Sequence, residues 1–147
     1  QGAEKMILEN GLSVLNGLSL LQIECSPIPL YHDEPSFFEI GLWLEKNNFV
    51  LHTLSNEDKR YFKPYGTEEN PYSGKNHLFQ VDAVFMPNPL TWVNMEDERL
   101  KCLAFFSHAM YRSYDLAMKA LDVLDSRDNG SRVSDYKLYL DTAGLAA

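Results

Sequence analysis

Glu24, Tyr31 and His32 are the side chains of this sequence placed to do proton chemistry on a bound small molecule. Glu24 ends the apolar run LSLLQIEC, and the stretch SPIPLYHDEP that follows has too many prolines for a helix or a central strand. In open α/β sheets ligands bind beyond the carboxyl ends of the strands, so Glu24 would face a crevice. There it could orient or deprotonate a substrate hydroxyl. Tyr31 would line the pocket, and His32 is of the residue type most often used as a proton acceptor. Plainer roles exist for each: Glu24 could cap a backbone or pair with a lysine, and a loop histidine can simply be solvated.

Positioning these groups falls to the elements around them. Apolar residues at helical spacing from Ala3 to Leu15 predict a first helix, kinked or broken at Gly11 and closed by Gly17 as a left-handed cap. Leu18 to Cys25 reads as a central parallel strand buried on both faces. Ser36 to Asn47 carries Phe37, Ile40, Gly41 and Leu44 on one face, a second amphipathic helix that Asn47-Asn48 can end. Phe49 to Leu54 and Leu78 to Met86 read as strands. No helical segment separates those two, so they should pair antiparallel, whereas the alternating part before them calls for parallel pairing.

Between the two strands lies a polar loop, Ser55 to Asn76. Lys59, Arg60, Lys63 and its aromatics could recognise a sugar or a peptide, or the loop could be a plain insertion. Asp82, in a strand that otherwise packs, needs a hydrogen-bonding partner, and a structural role is expected of it. From Met95 onward a helical period runs for about 30 residues. Asp128-Asn129-Gly130 then makes a turn, and Ser134 can cap a last short helix through Leu140, giving a helical hairpin tail. Phe105, Phe106, Tyr111 and Tyr114, with Met110 and Met118, read as core or as an interface between helices. The boundary between sheet domain and tail is expected near residue 90.

Composition narrows the function classes. The 147 residues, 45% of them hydrophobic, suffice for one core with an appendage, and the net charge of −8 with scattered basic residues argues against nucleic acid as a partner. No apolar run approaches a membrane span and no secretory leader is seen, so a cytoplasmic protein is expected. Cys25 and Cys102 stand far apart in apolar contexts and read as reduced core residues, with no metal-ligand spacing around them. The chain opens on Gln1 and runs straight into a helical pattern without a capping residue, as if a strand and a turn had preceded it.

Taken in order, QGAE, LLQIECSPIPLY, FFEIGLWLEKNNFVLHTLS and QVDAVFM resemble the second half of FkbM-type methyltransferases across roughly Gln1 to Pro87. The resemblance implies an α/β fold: the C-terminal half of a class I, Rossmann-like methyltransferase sheet, whose last strand is inserted antiparallel. It implies S-adenosylmethionine as cofactor, with Gln1, Gly2 and Glu4 at its site, although the dipole of the first helix would by itself explain a carboxylate at Glu4. It also implies that Glu24 acts in catalysis, that Tyr31 contacts substrate, and that a hydroxyl on a sugar, polyketide or related metabolite is methylated; His32 joins Glu24 as a catalytic candidate by its residue type and place in the loop. The Gly-rich loop and the acidic residue that would hold most of the cofactor belong to a half preceding Gln1, and none of the eight glycines here forms a G-x-G. Pairing with that half, or homo-oligomerisation, would cover the first strand. The rival expectation is a non-catalytic module that binds a partner protein through a degenerate half-sheet and an apolar tail.

Overall fold

The structure is a computed structural model that describes residues 3–65, 74 and 76–145. The chain is mixed α/β and divides into two compact units, Gln1–Pro87 and Asn88–Ala147.

In the first unit the opening apolar period forms two short helices, α1 (Glu4–Asn10) and α2 (Leu12–Leu15). They part at Gly11, whose N–H donates to the Ile7 carbonyl at 2.9 Å; a Cβ there would sit 3.0 Å from that oxygen. Gly17 is not the left-handed cap expected, since Gly144 alone among the described glycines has a positive φ. The segment instead closes through the Gly17 N–H on the Val14 carbonyl at 2.9 Å, a right-handed turn that needs no special backbone.

Strand β1 (Leu21–Cys25) is followed by helix α3 (Phe37–Lys46) and the strands β2 (Phe49–Arg60) and β3 (His77–Pro87). The capping box of Ser36 and Glu39 starts α3: the Glu39 N–H donates to Ser36 Oγ while Glu39 Oε2 accepts from the Ser36 N–H. Asn47 ends the helix, and Asn48 turns the chain into β2 through φ 63°.

The sheet order is β1-β3-β2, with β3 antiparallel to both neighbours. β2 and β3 pair antiparallel, as the lack of a helix between them predicts. The expected central parallel strand is corrected: β1 begins at Leu21, and its one strand neighbour among the described residues is β3. β1 and β2 do run in the same direction, but β3 comes back between them and takes the place a direct parallel pair would have had. Nor is β1 buried on both faces. Ile23 and Cys25 join Leu8, Leu15, Ile40, Leu44, Phe49, Ala83 and Phe85 in one core, while Gln22 and Glu24 alternate outward and are exposed.

The second unit opens on a 3₁₀ turn (Pro89–Asn94), then α4 (Asp97–Tyr111), α5 (Tyr114–Asp128) and α6 (Arg132–Thr142). The long period is broken at Arg112, which adopts φ 52°, so the tail is three helices and not a hairpin. Leu100, Leu103 and Ala104 of α4 are buried, as are Leu116, Ala117, Ala120 and Leu124 of α5. Arg127 ties the unit's start to α5: its guanidinium donates to Asp97 and to the carbonyls of Trp92, Val93 and Met95. Asn129 makes the α5–α6 turn in the left-handed region. Ser134 lies inside α6, which begins at Arg132; its hydroxyl donates to the Ser131 carbonyl at 2.7 Å. No described helix is long and apolar enough to cross a membrane.

Candidate functional site

The carboxyl end of β1 gathers the residues singled out from the sequence. Glu24 projects from the strand into solvent, on the face away from α1 and α3. Its cross-strand partner in the register is Asp82 of β3. Asp82 Oδ2 accepts from Gln22 Nε2 at 2.9 Å and from Asn56 Nδ2 at 2.6 Å, so one carboxylate links all three strands. That supplies the hydrogen bonding expected of Asp82, and it fixes the strand beside Glu24.

Chain immediately beyond Cys25 is held at both ends. The Phe37 N–H donates to the Ser26 carbonyl at 2.8 Å, anchoring the start of α3 to the end of β1. Within the loop, Glu34 Oε2 accepts from the Leu30 N–H at 2.5 Å and the Tyr31 N–H at 3.0 Å, and the Glu34 N–H donates to the Tyr31 carbonyl at 3.3 Å. Asp33, at φ 63°, permits the reversal. The outcome is a closed turn that presents Tyr31, 55% exposed, and His32, also exposed, at its tip.

Glu4 is the first residue of α1 and is half-buried. Gln1 and Gly2 lie outside the described residues, and so does most of the Ser55–Asn76 loop beyond Tyr65. Ser55 to Arg60 of that expected loop is the second half of β2. Glu4, Glu24, Glu34 and Asp82 all lie near enough to Cys25 to act on its thiol. Burial first, and then these carboxylates, push the Cys25 thiol up to about 12. The end of β1 is therefore an acidic place.

Three contributors were not singled out from the sequence. Glu34 serves as the loop's clamp, and a carboxylate between a turn and a proline was the available sign of it. Gln22 and Asn56 could not be recognised, because their role depends on a register that is set across three strands. Ser26 is 1% exposed, and its hydroxyl has no hydrogen-bond partner among the described residues. Among those residues no three His, Cys, Asp or Glu side chains gather as metal ligands. The chain matches no family model, no curated protein and no solved structure.

Proposed function

We propose that the chain supplies the last three strands of an S-adenosylmethionine-dependent methyltransferase of the FkbM type, acting on a hydroxyl of a sugar, polyketide or related metabolite. The observation that carries this reading is the position of β3, antiparallel between two strands that run the same way. The family resemblance implies such an insertion of the last strand, and the order β1-β3-β2 is hard to obtain by simple hairpin succession. A second support is that Glu24, Tyr31 and His32 all emerge at the carboxyl end of β1 or in the loop after it.

Of the positions the resemblance gives to the cofactor, Glu4 alone is described, and one half-buried carboxylate does not hold a nucleoside. The described residues thus do not make the cofactor's site, and binding it is left to residues outside them. What this chain contributes is the acceptor side. The Glu34 clamp fixes the turn, Tyr31 forms a wall for the acceptor, and Glu24 or His32 takes the proton of the attacking hydroxyl.

A second reading, a non-catalytic interaction module, is favoured by the apolar side chains left in solvent. Met6, Ile7 and Val14 are each more than 60% exposed in the first unit, as are Phe105, Met110 and Leu138 in the second. The deciding experiment uses the natural polypeptide that carries these 147 residues, with methyl-tritiated S-adenosylmethionine and a panel of methyl glycosides and hydroxylated polyketides. Cofactor binding with label transferred to an acceptor hydroxyl is expected. A polypeptide that binds no S-adenosylmethionine would sink the enzyme reading and leave the interaction module.

A further inference from the structure

The second unit contains a cavity that the methyltransferase reading does not use. Its volume is about 330 Å³, within the range of small-molecule sites. Ala104, Phe105 and His108 of α4, Ala117 of α5, and Tyr136 and Tyr139 of α6 line it. Two of its lining residues are the buried alanines Ala104 and Ala117, 7% and 1% exposed, whose short side chains leave room that larger ones would fill. At its rim two large aromatics remain in solvent, Phe105 at 64% and Tyr139 at 49% exposed. Phe105, expected with its neighbours on that helix to be core or a helix interface, stands here at the rim of open volume.

The walls define the chemistry of an occupant. The Tyr136 and Tyr139 rings lie within 18° of parallel, and the His108 ring stands 5.8 and 5.7 Å from them. Flat π-faces of this kind favour a flat ring. His108 Nδ1 and the Tyr136 hydroxyl share a hydrogen bond of 2.9 Å, the second imidazole nitrogen has no hydrogen-bond partner among the described residues, and the Tyr139 hydroxyl adds one more polar group. No Lys, Arg, Asp or Glu is among the lining residues, so a charged ligand would lose its hydration without compensation.

We infer that this cavity binds a small, neutral aromatic molecule bearing one hydroxyl or N–H group, with its ring against the tyrosines and its polar group on the His108–Tyr136 pair. The inference does not rest on the methyltransferase reading, because every lining residue belongs to Asn88–Ala147.

Phenol and toluene, alike in shape and differing in the hydroxyl, are the probes. The 147-residue chain is titrated with each while the His108 and tyrosine ring resonances are followed by NMR. Phenol should shift the His108 and Tyr136 signals saturably, and toluene should bind about 10-fold more weakly, the scale of one net hydrogen bond. His108→Phe keeps a ring and should erase the preference for phenol; Tyr139→Ala, at a half-exposed position that the fold tolerates, should weaken both probes. Phenol that leaves the His108 and Tyr136 resonances unmoved would overturn the site. So would a His108→Phe variant with undiminished preference for phenol. Ring signals that change with protein concentration alone would give the cavity to a second copy of the chain, and would equally overturn the small-molecule assignment.

Discussion

Glu24 and Asp82 stand directly opposite one another across β1 and β3, two carboxylates as cross-strand neighbours, Glu24 exposed and Asp82 half-buried. Like charges in that position destabilise a strand pair. Asp82 is engaged by Gln22 and Asn56, and its place is explained by them. Glu24 has no comparable structural employment, and its repulsion with Asp82 is a cost that a residue kept for chemistry would carry. If the proposed methyltransferase function holds, Glu24→Gln in the natural polypeptide should lower methyl transfer by ~10²-fold, the scale of a positioned acid-base group. At the same time it should leave the thermal midpoint unchanged or slightly raised. A variant with full turnover, or one that unfolds at a lower temperature, would assign Glu24 to structure.

The two cysteines should differ sharply in reactivity. Cys102, expected in the core, is exposed on α4, whereas Cys25 is buried as expected and its thiol is held up to about 12 by burial and by nearby carboxylates. At pH 8 iodoacetamide should modify Cys102 alone, and Cys25 only in denaturant. The sign of the pH effect follows. Above the ordinary thiol value of 9.0 the unfolded chain loses a proton that the folded chain keeps, so Cys25 should erode stability as pH rises from about 9 towards 12. Cys25→Ser, compared with the parent in denaturant titrations across that range, should flatten the slope. Labelling of Cys25 in the native chain at a rate equal to Cys102 would contradict this.

Arg127→Ala should destabilise the helical unit by about 2 kcal/mol, because it removes the charged donor shared by the carbonyls of Trp92, Val93 and Met95 and by Asp97. Arg127→Lys should recover only part of the loss, since one ammonium cannot reproduce the planar fork. Denaturant midpoints of the three proteins give the answer, and a fully stable alanine variant would show that water replaces the guanidinium without cost.

How much of this could be read in advance depends on the range of the interaction. Helix α3 was legible because Ser36, Ile40, Leu44 and Asn47 lie within one another's reach along the chain. The antiparallel pairing of β2 with β3 was legible for the same reason. β2 was cut short at Leu54 because Ser55–Arg60 is polar. It continues as a strand because β3 supplies a ladder, with bulges between Leu51 and Thr53 and between Ser55 and Asp58 that absorb the mismatch. The break at Arg112 had no glycine or proline to announce it. Of the site, Glu24, Tyr31 and His32 followed from the end of an apolar run and three prolines. The Gln22–Asp82–Asn56 link required the register itself.

β1 should recruit another chain when nothing covers its outer side. Leu21–Cys25 contains no lysine or proline, the residues that usually guard an edge, and its outer backbone groups face no strand among the described residues. Sedimentation of the isolated 147 residues over a hundredfold dilution should show association. Ile23→Lys would unfold the core, whereas Gln22→Lys places the charge on the exposed face and should disperse the oligomer. A monomer at every concentration would show that the edge is already protected.

The start of α6 is secured from outside that helix. Asp125, one turn before the end of α5, accepts from the backbone N–H groups of Arg132 and Val133 and from the Arg132 guanidinium, while Asp128 takes the other face of that guanidinium. These bonds hold the Asp125 and Asp128 carboxyls below the usual carboxylate range. A helix capped by its predecessor cannot fray from its first turn independently of it. The amides of α5's last turn and α6's first turn should then open to solvent in one step, a single cooperative foldon that crosses the loop. Acid would release it as a whole, because both carboxylates take up protons more readily once the turn is open.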